Sequence, residues 1–329
     1  MRVLRVADAD LAALASPLAR TSYAEPTVIV TVPDGTAPEP PARALASVPC
    51  IVVGDGHDTA GNWPHLDLFV EPDVTTLDDV LDTIDTHPYA SLTLAMLLRA
   101  APRASASDAV AMESAAYSML LASSEFAAWR AQHPPRDRPA DPDEPVRLRR
   151  DGSTLHVILN RPQVRNALNR AMRDRLLEAF ALAATAPDIE QVEVRGVGRS
   201  FCSGGDLDEF GTFDDPARAH VLRLATSIGQ AIASMSDRVT FFVHGPCAGS
   251  GVELPAFGSR VVADPATTFL LPEVSLGLVP GAGGTVSLTR RIGRHRVALL
   301  ALGGRAIDAT VARRWGLVDE LAPTNGAPA

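Results

Sequence analysis

Two glutamates and the turns of small residues beside them are the part of the sequence best suited to acid–base chemistry. Glu253 follows the turn Ala248–Ser250, and Glu273 precedes a segment with glycine at positions 281, 283 and 284. Glycine lets a backbone approach a ligand closely, and a turn that enters a helix leaves N–H groups free to bind an anion or a polarised carbonyl. Two carboxyl groups at such a turn predict an acid and a base that act on a carbonyl compound.

A second turn, Phe201–Asp206, offers a further backbone donor. It follows the alternating run Val192–Gly196, which predicts a strand that ends at a turn. The N–H of Gly205 could therefore pair with an N–H of the Gly249–Ser250 turn on a single oxygen. Two such donors make an oxyanion hole, and the loss of one typically costs about 10²–10³ in turnover.

These turns belong to a series of motifs that resembles the enoyl-CoA hydratase/isomerase (crotonase) superfamily over residues 152–321. The motifs, in the order of that family, are Arg161-Pro162, Asn166-Ala167-Leu168, FCSGGDL at 201–207, HGPCAGSGVE at 244–253, LPEVSLGLVPGAGGT at 271–285 and Gly316-Leu317-Val318-Asp319. The resemblance implies an α/β fold with a ββα spiral core and an acyl-CoA thioester as substrate. It implies no metal and no separate cofactor, since coenzyme A is part of the substrate.

The resemblance also implies a role for each matching residue. Glu273 would exchange the proton at C2 of a 2-enoyl-CoA, and Glu253 would orient or deprotonate the water that adds at C3. Gly205 and Ser250 would donate their N–H groups to the thioester oxygen. Contacts to coenzyme A or the acyl group are expected from ten further residues: Asn166, Ala167, Leu168, Ser203, Gly204, Asp206, Leu207, Gly249, Pro280 and Gly281.

Two departures from the family pattern keep other functions open. Ser250 stands where the family usually has glycine, so the turn must tolerate a Cβ. Pro255, two residues after Glu253, is tolerated only in the first turn of a helix and could reshape this one. An acyl-CoA hydratase is the leading interpretation. The alternatives are an enoyl-CoA isomerase or acyl-CoA hydrolase of the same fold, or a non-catalytic acyl-CoA-binding subunit.

The chain divides at a proline-rich linker, HPPRDRPADPDEPV, which carries five prolines over residues 133–146. Before it, the patterns predict a small α/β unit over residues 1–87 and a helical segment over 88–132. After it come the acyl-CoA core over 147–322 and a polar tail over 323–329. Within the core, Asn169 is predicted to cap a helix over Arg170–Ala184, and Ala217–Met235 is predicted as a single helix. The predicted elements of the first unit are strands Thr27–Val32, Pro49–Val53 and Leu66–Val70, and helices Asp10–Ala19, Pro41–Ala46 and Thr76–Ile84.

The helical segment before the linker resembles the terminal helices that family members usually carry after the Gly-Leu-Val-Asp turn. This chain stops soon after that turn, and residues 88–132 are therefore expected to cover the site from the other end of the chain, in a permuted arrangement. An unrelated helical hairpin is the alternative. Ser107–Gln132 is predicted as one long helix that is apolar on several faces. Such a helix needs a neighbouring subunit, and we expect a homotrimer or hexamer.

Charge and composition narrow the partners of this 329-residue chain. Residues 1–145 carry a net charge of −12, which argues against nucleic-acid binding, and residues 146–329 carry +3. All 30 basic residues are arginine, so a CoA phosphate would have to pair with arginine. No apolar run reaches the ~20 residues of a membrane span, and the N-terminus lacks the apolar segment of a signal peptide. We expect a cytoplasmic protein with no membrane partner.

Overall fold

A four-stranded parallel sheet opens the chain in the computed structural model, which describes residues 1–7, 26–32, 48–55, 66–136 and 144–324. Its strands follow in the order β1 (Arg2–Ala7), β2 (Thr27–Val32), β3 (Cys50–Gly54) and β4 (Leu68–Phe69). The three predicted strands are confirmed, the last in shortened form, and β1 was not predicted. The predicted helices over residues 10–19 and 41–46 lie outside the described residues.

Four helices follow this sheet: α1 (Leu77–Thr86), α2 (Pro88–Ala100), α3 (Ala106–Leu121) and α4 (Ser124–Gln132). The prediction of one long helix over residues 107–132 is wrong, because Ser123 accepts the N–H of Phe126 at 3.2 Å and starts a new helix. The cap of α3 is Ser105, which accepts the N–H of Asp108 at 3.1 Å. Within the described ranges no helix is long and apolar enough to span a bilayer.

The second half of the chain is built on a six-stranded sheet. Its strands are β5 (Val146–Asp151), β6 (Thr154–Leu159), β7 (Gln191–Gly196), β8 (Val239–Val243), β10 (Arg260–Ala263) and β13 (Glu320–Leu321). They lie in the order β13-β10-β8-β7-β6-β5, in which the β5–β6 pair is antiparallel and the others are parallel. A parallel β core flanked by helices confirms the predicted α/β class.

A three-stranded sheet packs beside it and consists of β9 (Pro246–Ala248), β11 (Thr268–Leu270) and β12 (Ile307–Asp308). The helices of this half are α5 (Arg170–Thr185), α6 (Pro216–Ala225), α7 (Ile228–Ala233), α8 (Ser250–Glu253), α9 (Gly284–Ile292), α10 (Arg294–Leu302) and α11 (Ala309–Trp315). Asn169 caps α5 as predicted, by accepting the N–H of Met172 at 2.9 Å. The single helix predicted over residues 217–235 is wrong, because Ser227 caps a separate α7.

The helices of the first half pack onto the core of the second. α3 lies against α6 and α9, and α2 lies against α10, which also contacts β4. A buried ion pair links α2 to the first sheet. Arg99 of α2 binds Asp67 at 2.6 Å and donates to the carbonyls of Val48 and Cys50. One hydrophobic cluster consequently runs from β3 and β4 through the helices to the six-stranded sheet.

Candidate active site

The turn that carries Gly205 is fixed by an ion pair and a buried asparagine. Asn166 accepts the N–H of Arg161 at 2.8 Å and donates to two backbone carbonyls at 2.9 and 3.0 Å. The guanidinium of Arg161 binds the carboxylate of Asp206 at 3.0 Å and donates to the carbonyl of Ala167. All of these groups are buried. The motif that suggested contacts to coenzyme A therefore also has a structural task, which is to hold this turn.

Leu168 pairs with the same turn and determines which of its N–H groups is left over. Its N–H donates to the carbonyl of Gly204 at 2.8 Å, and its carbonyl accepts the N–H of Asp206 at 2.9 Å. Gly205 lies between the two bonded residues, and its N–H donates no hydrogen bond to any described residue. The great majority of backbone N–H groups away from water are paired, so an unpaired one on a cavity wall is available to a ligand.

Ser250 offers the second unpaired N–H. It opens α8, and its N–H also makes no hydrogen bond to a described residue. The strained backbone of this turn falls on Gly249, whose φ is +49°, and a Cβ there would lie 2.5 Å from Oε1 of Glu273. Ser250 itself does not have positive φ. The turn thus accommodates the serine that replaces glycine.

Glu273 follows β11 at the start of a short 3₁₀ turn, Glu273–Leu276. Its side chain is buried, with 6% of the residue exposed, and its Oε2 has no hydrogen-bond partner among the described residues. A buried carboxyl oxygen without a partner is costly. Such a group is a candidate for a reaction partner.

Glu253 is the last residue of α8; Leu254 follows it, and a 3₁₀ turn begins at Pro255. Its Oε2 accepts the N–H groups of Ala282 and Gly284, both at 2.8 Å. A Cβ on Gly284 would lie 2.6 Å from Cγ of this glutamate, so the approach requires glycine. The proline shortens the helix and leaves the glutamate buried and anchored to the glycine-rich turn.

Glu113, a third buried glutamate, was not predicted as a site residue. It projects from α3 and accepts the N–H of Gly283 at 2.7 Å, and the N–H and hydroxyl of Thr285 at 2.8 and 2.7 Å. Four successive N–H groups, from residue 282 to 285, therefore bind Glu253 and Glu113 alternately. The only signal in the sequence was a single acid in an otherwise apolar stretch of helix.

The three carboxyl groups hold protons at higher pH than free glutamate does. Burial raises the pKa of Glu273 to about 8 and that of Glu113 to about 7, and the hydrogen bonds from Thr285 and Gly283 limit the shift of Glu113. Burial, followed by the nearby carboxylates of Glu273 and Glu113, raises the pKa of Glu253 well above its usual value. Like charges at close range cannot all be ionised at neutral pH.

The two glutamates predicted from the sequence face one cavity of about 230 Å³, together with both unpaired N–H groups. Of the predicted CoA or substrate contacts, Leu168, Asp206 and Gly281 line it. The others do not: Asn166, Ala167, Ser203, Gly204, Leu207, Gly249 and Pro280. Twelve of its lining residues were not predicted, among them Tyr117, Phe210 and Arg223. Tyr117 comes from α3 and contacts Phe210 edge-on, with ring centroids 6.3 Å apart.

A mostly parallel β core with this cavity at its edge defines an α/β protein of the crotonase class. Residues 149–326, more than half of the chain, match the family described as enoyl-CoA hydratase/isomerase. The chain belongs to this family.

Individual relatives agree with the family. The chain is 33% identical to the mevalonyl-coenzyme A hydratase of Beauveria bassiana over 193 residues, and this alignment covers 53% of the chain and 65% of that protein. It is 34% identical to the 2,3-dehydroadipyl-CoA hydratase of Escherichia coli K12, with 54% and 68% covered. The crystal structure of enoyl-CoA hydratase from Thermoplasma volcanium superposes with a TM-score of 0.51 at 32% identity, over 55% of this chain and 72% of that one. The matched segment thus spans about two thirds of each relative.

Proposed function

We propose that this protein is an acyl-CoA hydratase that adds water across the double bond of a 2-enoyl-CoA. The observation that carries the proposal is the shared cavity, where two unpaired backbone N–H groups and two buried glutamates meet. The relatives that are named as hydratases support the same reaction type.

The N–H groups of Gly205 and Ser250 receive the thioester oxygen in this proposal. Negative charge develops on that oxygen when water adds at C3, and fixed donors stabilise it without reorganisation. Both N–H groups belong to turns that are already held by other bonds: Leu168 pairs with the first, and the N–H of Gly249 donates to the carbonyl of Leu270 at 3.0 Å in the second. The donors are thus positioned before the substrate arrives.

The two glutamates divide the acid and base roles. Burial and the neighbouring carboxylates raise the pKa of Glu253, whereas its two N–H bonds from the glycine-rich turn favour its charged form. A protonated Glu273 removes one of those neighbouring charges, so Glu253 takes the proton from the attacking water. Glu273 has an unpartnered oxygen and a pKa of about 8, so it carries a proton at neutral pH and gives it to C2. The water oxygen becomes the 3-hydroxyl, and the product is a 3-hydroxyacyl-CoA. General acid–base groups of this kind contribute typically ~10²–10⁴-fold.

Product analysis with crotonyl-CoA tests the proposal against its alternatives. A hydratase gives 3-hydroxybutyryl-CoA and incorporates oxygen from ¹⁸O-labelled water into the acyl chain. Release of free CoA would instead identify a hydrolase, and movement of the double bond in a 3-enoyl-CoA would identify an isomerase. Binding without turnover of any acyl-CoA would favour a non-catalytic subunit.

We further propose that residues 88–132 are the permuted helical cap of this site. Three contacts support the idea: Glu113 binds the glycine-rich turn, the backbone of Phe126 lies against Gly277, and Arg130 donates to the carbonyls of Leu207 and Phe210 at 2.6 and 2.7 Å.

Assembly and location are further proposals. Among the described residues, several large apolar side chains on α2, α3 and α6 are exposed, namely Tyr89, Met96, Met112, Met119 and Val221. They support the expectation of a homotrimer or hexamer, and light scattering at micromolar concentration would give the mass. A cytoplasmic location, and the lack of nucleic-acid and membrane partners, stay expectations from the sequence.

A further inference from the structure

A second cavity of about 180 Å³ adjoins the active-site cavity. It lies between α3 and α6, and Leu168, Gly281 and Arg223 line both cavities. The apolar void beneath Leu168 is only about 20 Å³, which holds about one water molecule. An acyl group whose thioester oxygen binds Gly205 and Ser250 therefore finds room for its far end in the second cavity.

Arg223 and Arg173 are the charged residues that line both cavities, and Arg223 uses only part of its guanidinium. Its Nη1 donates to the carbonyl and hydroxyl of Ser114, both at 3.1 Å, and to the hydroxyl of Ser118 at 3.0 Å. The guanidinium lies over the ring of Tyr117, 4.5 Å from its centroid. Among the residues that the structure describes, Nε and Nη2 have no hydrogen-bond partner, and no carboxylate forms an ion pair with this arginine.

Glu113 lines the second cavity and attracts the guanidinium of Arg223, but it forms no ion pair with it. The carboxyl oxygens of Glu113 are occupied by Gly283 and Thr285. The other arginine on the wall, Arg173, binds its neighbour Asp174 at 2.7 Å. Arginine stays charged in proteins, and a half-buried charge without a counter-ion is costly. Binding of an anion at the junction of the two cavities would offset that cost.

We propose that the second cavity receives the far end of the acyl group and that Nε and Nη2 of Arg223 bind a carboxylate there. The substrate class is then an acyl-CoA with a carboxylate at the end of its chain. The planar fork of arginine matches the two oxygens of a carboxylate, whereas a methyl end would leave it without a partner. This inference rests on the proposed function, because it assumes that the thioester binds at Gly205 and Ser250.

Binding of two unreactive, saturated thioesters tests the inference without relying on catalysis. Hexanoyl-CoA and adipoyl-CoA have the same chain length and differ in a terminal methyl against a terminal carboxylate. Calorimetry should show that the wild-type protein binds adipoyl-CoA on the order of 10- to 100-fold more tightly than hexanoyl-CoA, because charge-assisted hydrogen bonds contribute a free energy of that size. In Arg223→Met the preference should be lost while the affinity for hexanoyl-CoA is kept.

Two results would overturn the inference: equal affinity of the wild type for both thioesters, or an equal loss of both affinities in Arg223→Met. The second result would assign the arginine to the phosphates of coenzyme A, which both ligands share. Ser118→Ala is the matched control, since it removes one acceptor of Nη1 and leaves the charge, so the preference should persist. If Arg223→Met does not fold, Arg223→Lys serves instead, because it keeps the charge, loses the fork, and should show a reduced preference.

The outcomes also separate this inference from the proposed function. A protein that prefers adipoyl-CoA but hydrates no 2-enoyl-CoA would contradict the hydratase proposal alone. A protein that hydrates 2-enoyl-CoA thioesters but binds both saturated ligands equally would contradict the role of Arg223 alone.

Discussion

Two groups of buried acids in this protein are built in opposite ways. Asp67 has a charged partner: it binds Arg99 through both oxygens and also accepts the N–H of Val52 at 2.8 Å. The glutamates at 113, 253 and 273 share a small region in which their hydrogen-bond donors are mostly backbone N–H groups, and one oxygen of Glu273 has no partner. The first group joins two parts of the fold. The second keeps unsatisfied groups at a cavity, which is a cost that a purely structural site would not carry.

The largest expected effect is on turnover at the second group. Glu253→Gln and Glu273→Gln should each lower kcat for crotonyl-CoA hydration by roughly two to four orders of magnitude, because each removes an acid or base while keeping the size of the side chain. Steady-state kinetics at pH 7 measure this, with thermal unfolding as the control for folding. Full activity of Glu253→Gln in an otherwise active hydratase would exclude the two-glutamate mechanism.

The next effect is on stability, at the first group. Asp67→Asn should cost about 3–5 kcal/mol in the free energy of unfolding, because it leaves Arg99 as an uncompensated buried charge. Urea titration measures the loss. Asp188→Asn is the matched control: Asp188 pairs with Arg150 at the surface, where both side chains are about half exposed, and such pairs contribute little to stability. Equal losses in the two variants would remove the contrast between a buried and an exposed pair.

Glu113 lies between these two cases, since it touches the site only through the glycine-rich turn. Glu113→Gln replaces one acceptor oxygen with an NH₂ group, so donors among Gly283 and Thr285 lose their partner at a cost of about 1–3 kcal/mol. We expect a loss of activity smaller than that of Glu253→Gln, because the turn that anchors Glu253 loosens. Parallel unfolding and rate measurements give the ratio. An unchanged stability would show that these hydrogen bonds are replaced by others.

The smallest and most specific effect is a change with pH. A carboxyl group whose pKa rises on folding binds more protons in the folded state, so its contribution to stability is lost as pH increases. For Glu273 the loss falls between about 4.5 and about 8. Glu273→Gln should therefore match the wild type near pH 4.5 and become relatively more stable by pH 8. Thermal unfolding at both pH values tests this, and a constant difference would mean that Glu273 does not titrate in that range.

The sequence was informative wherever a pattern is local. Short β-branched runs bounded by Pro, Gly and Asp located β2 and β3, and the cap at Asn169 located the start of α5. It failed at the breaks inside residues 107–132 and 217–235, since the serines that cap α4 and α7 are short polar residues common in any helix face. Such a serine interrupts a helix only when the packing around it turns the chain, and packing is not a local property.

The site shows the same division. The ordered motifs between residues 161 and 319 were enough to propose the family. The glycine turns and glutamates within them were enough to propose an oxyanion hole and two acid–base residues, because close backbone approach and proton transfer restrict residue types strongly. Only the tertiary structure brought Glu113 and Tyr117, more than a hundred residues earlier, onto that loop, and placed Arg223 at the junction of two cavities. Those contacts depend on how α3 packs against α6 and α9. Packing depends on complementary surfaces that come from distant parts of the chain. The resemblance could therefore place residues 88–132 over the site, but it could not say which of their side chains reach it.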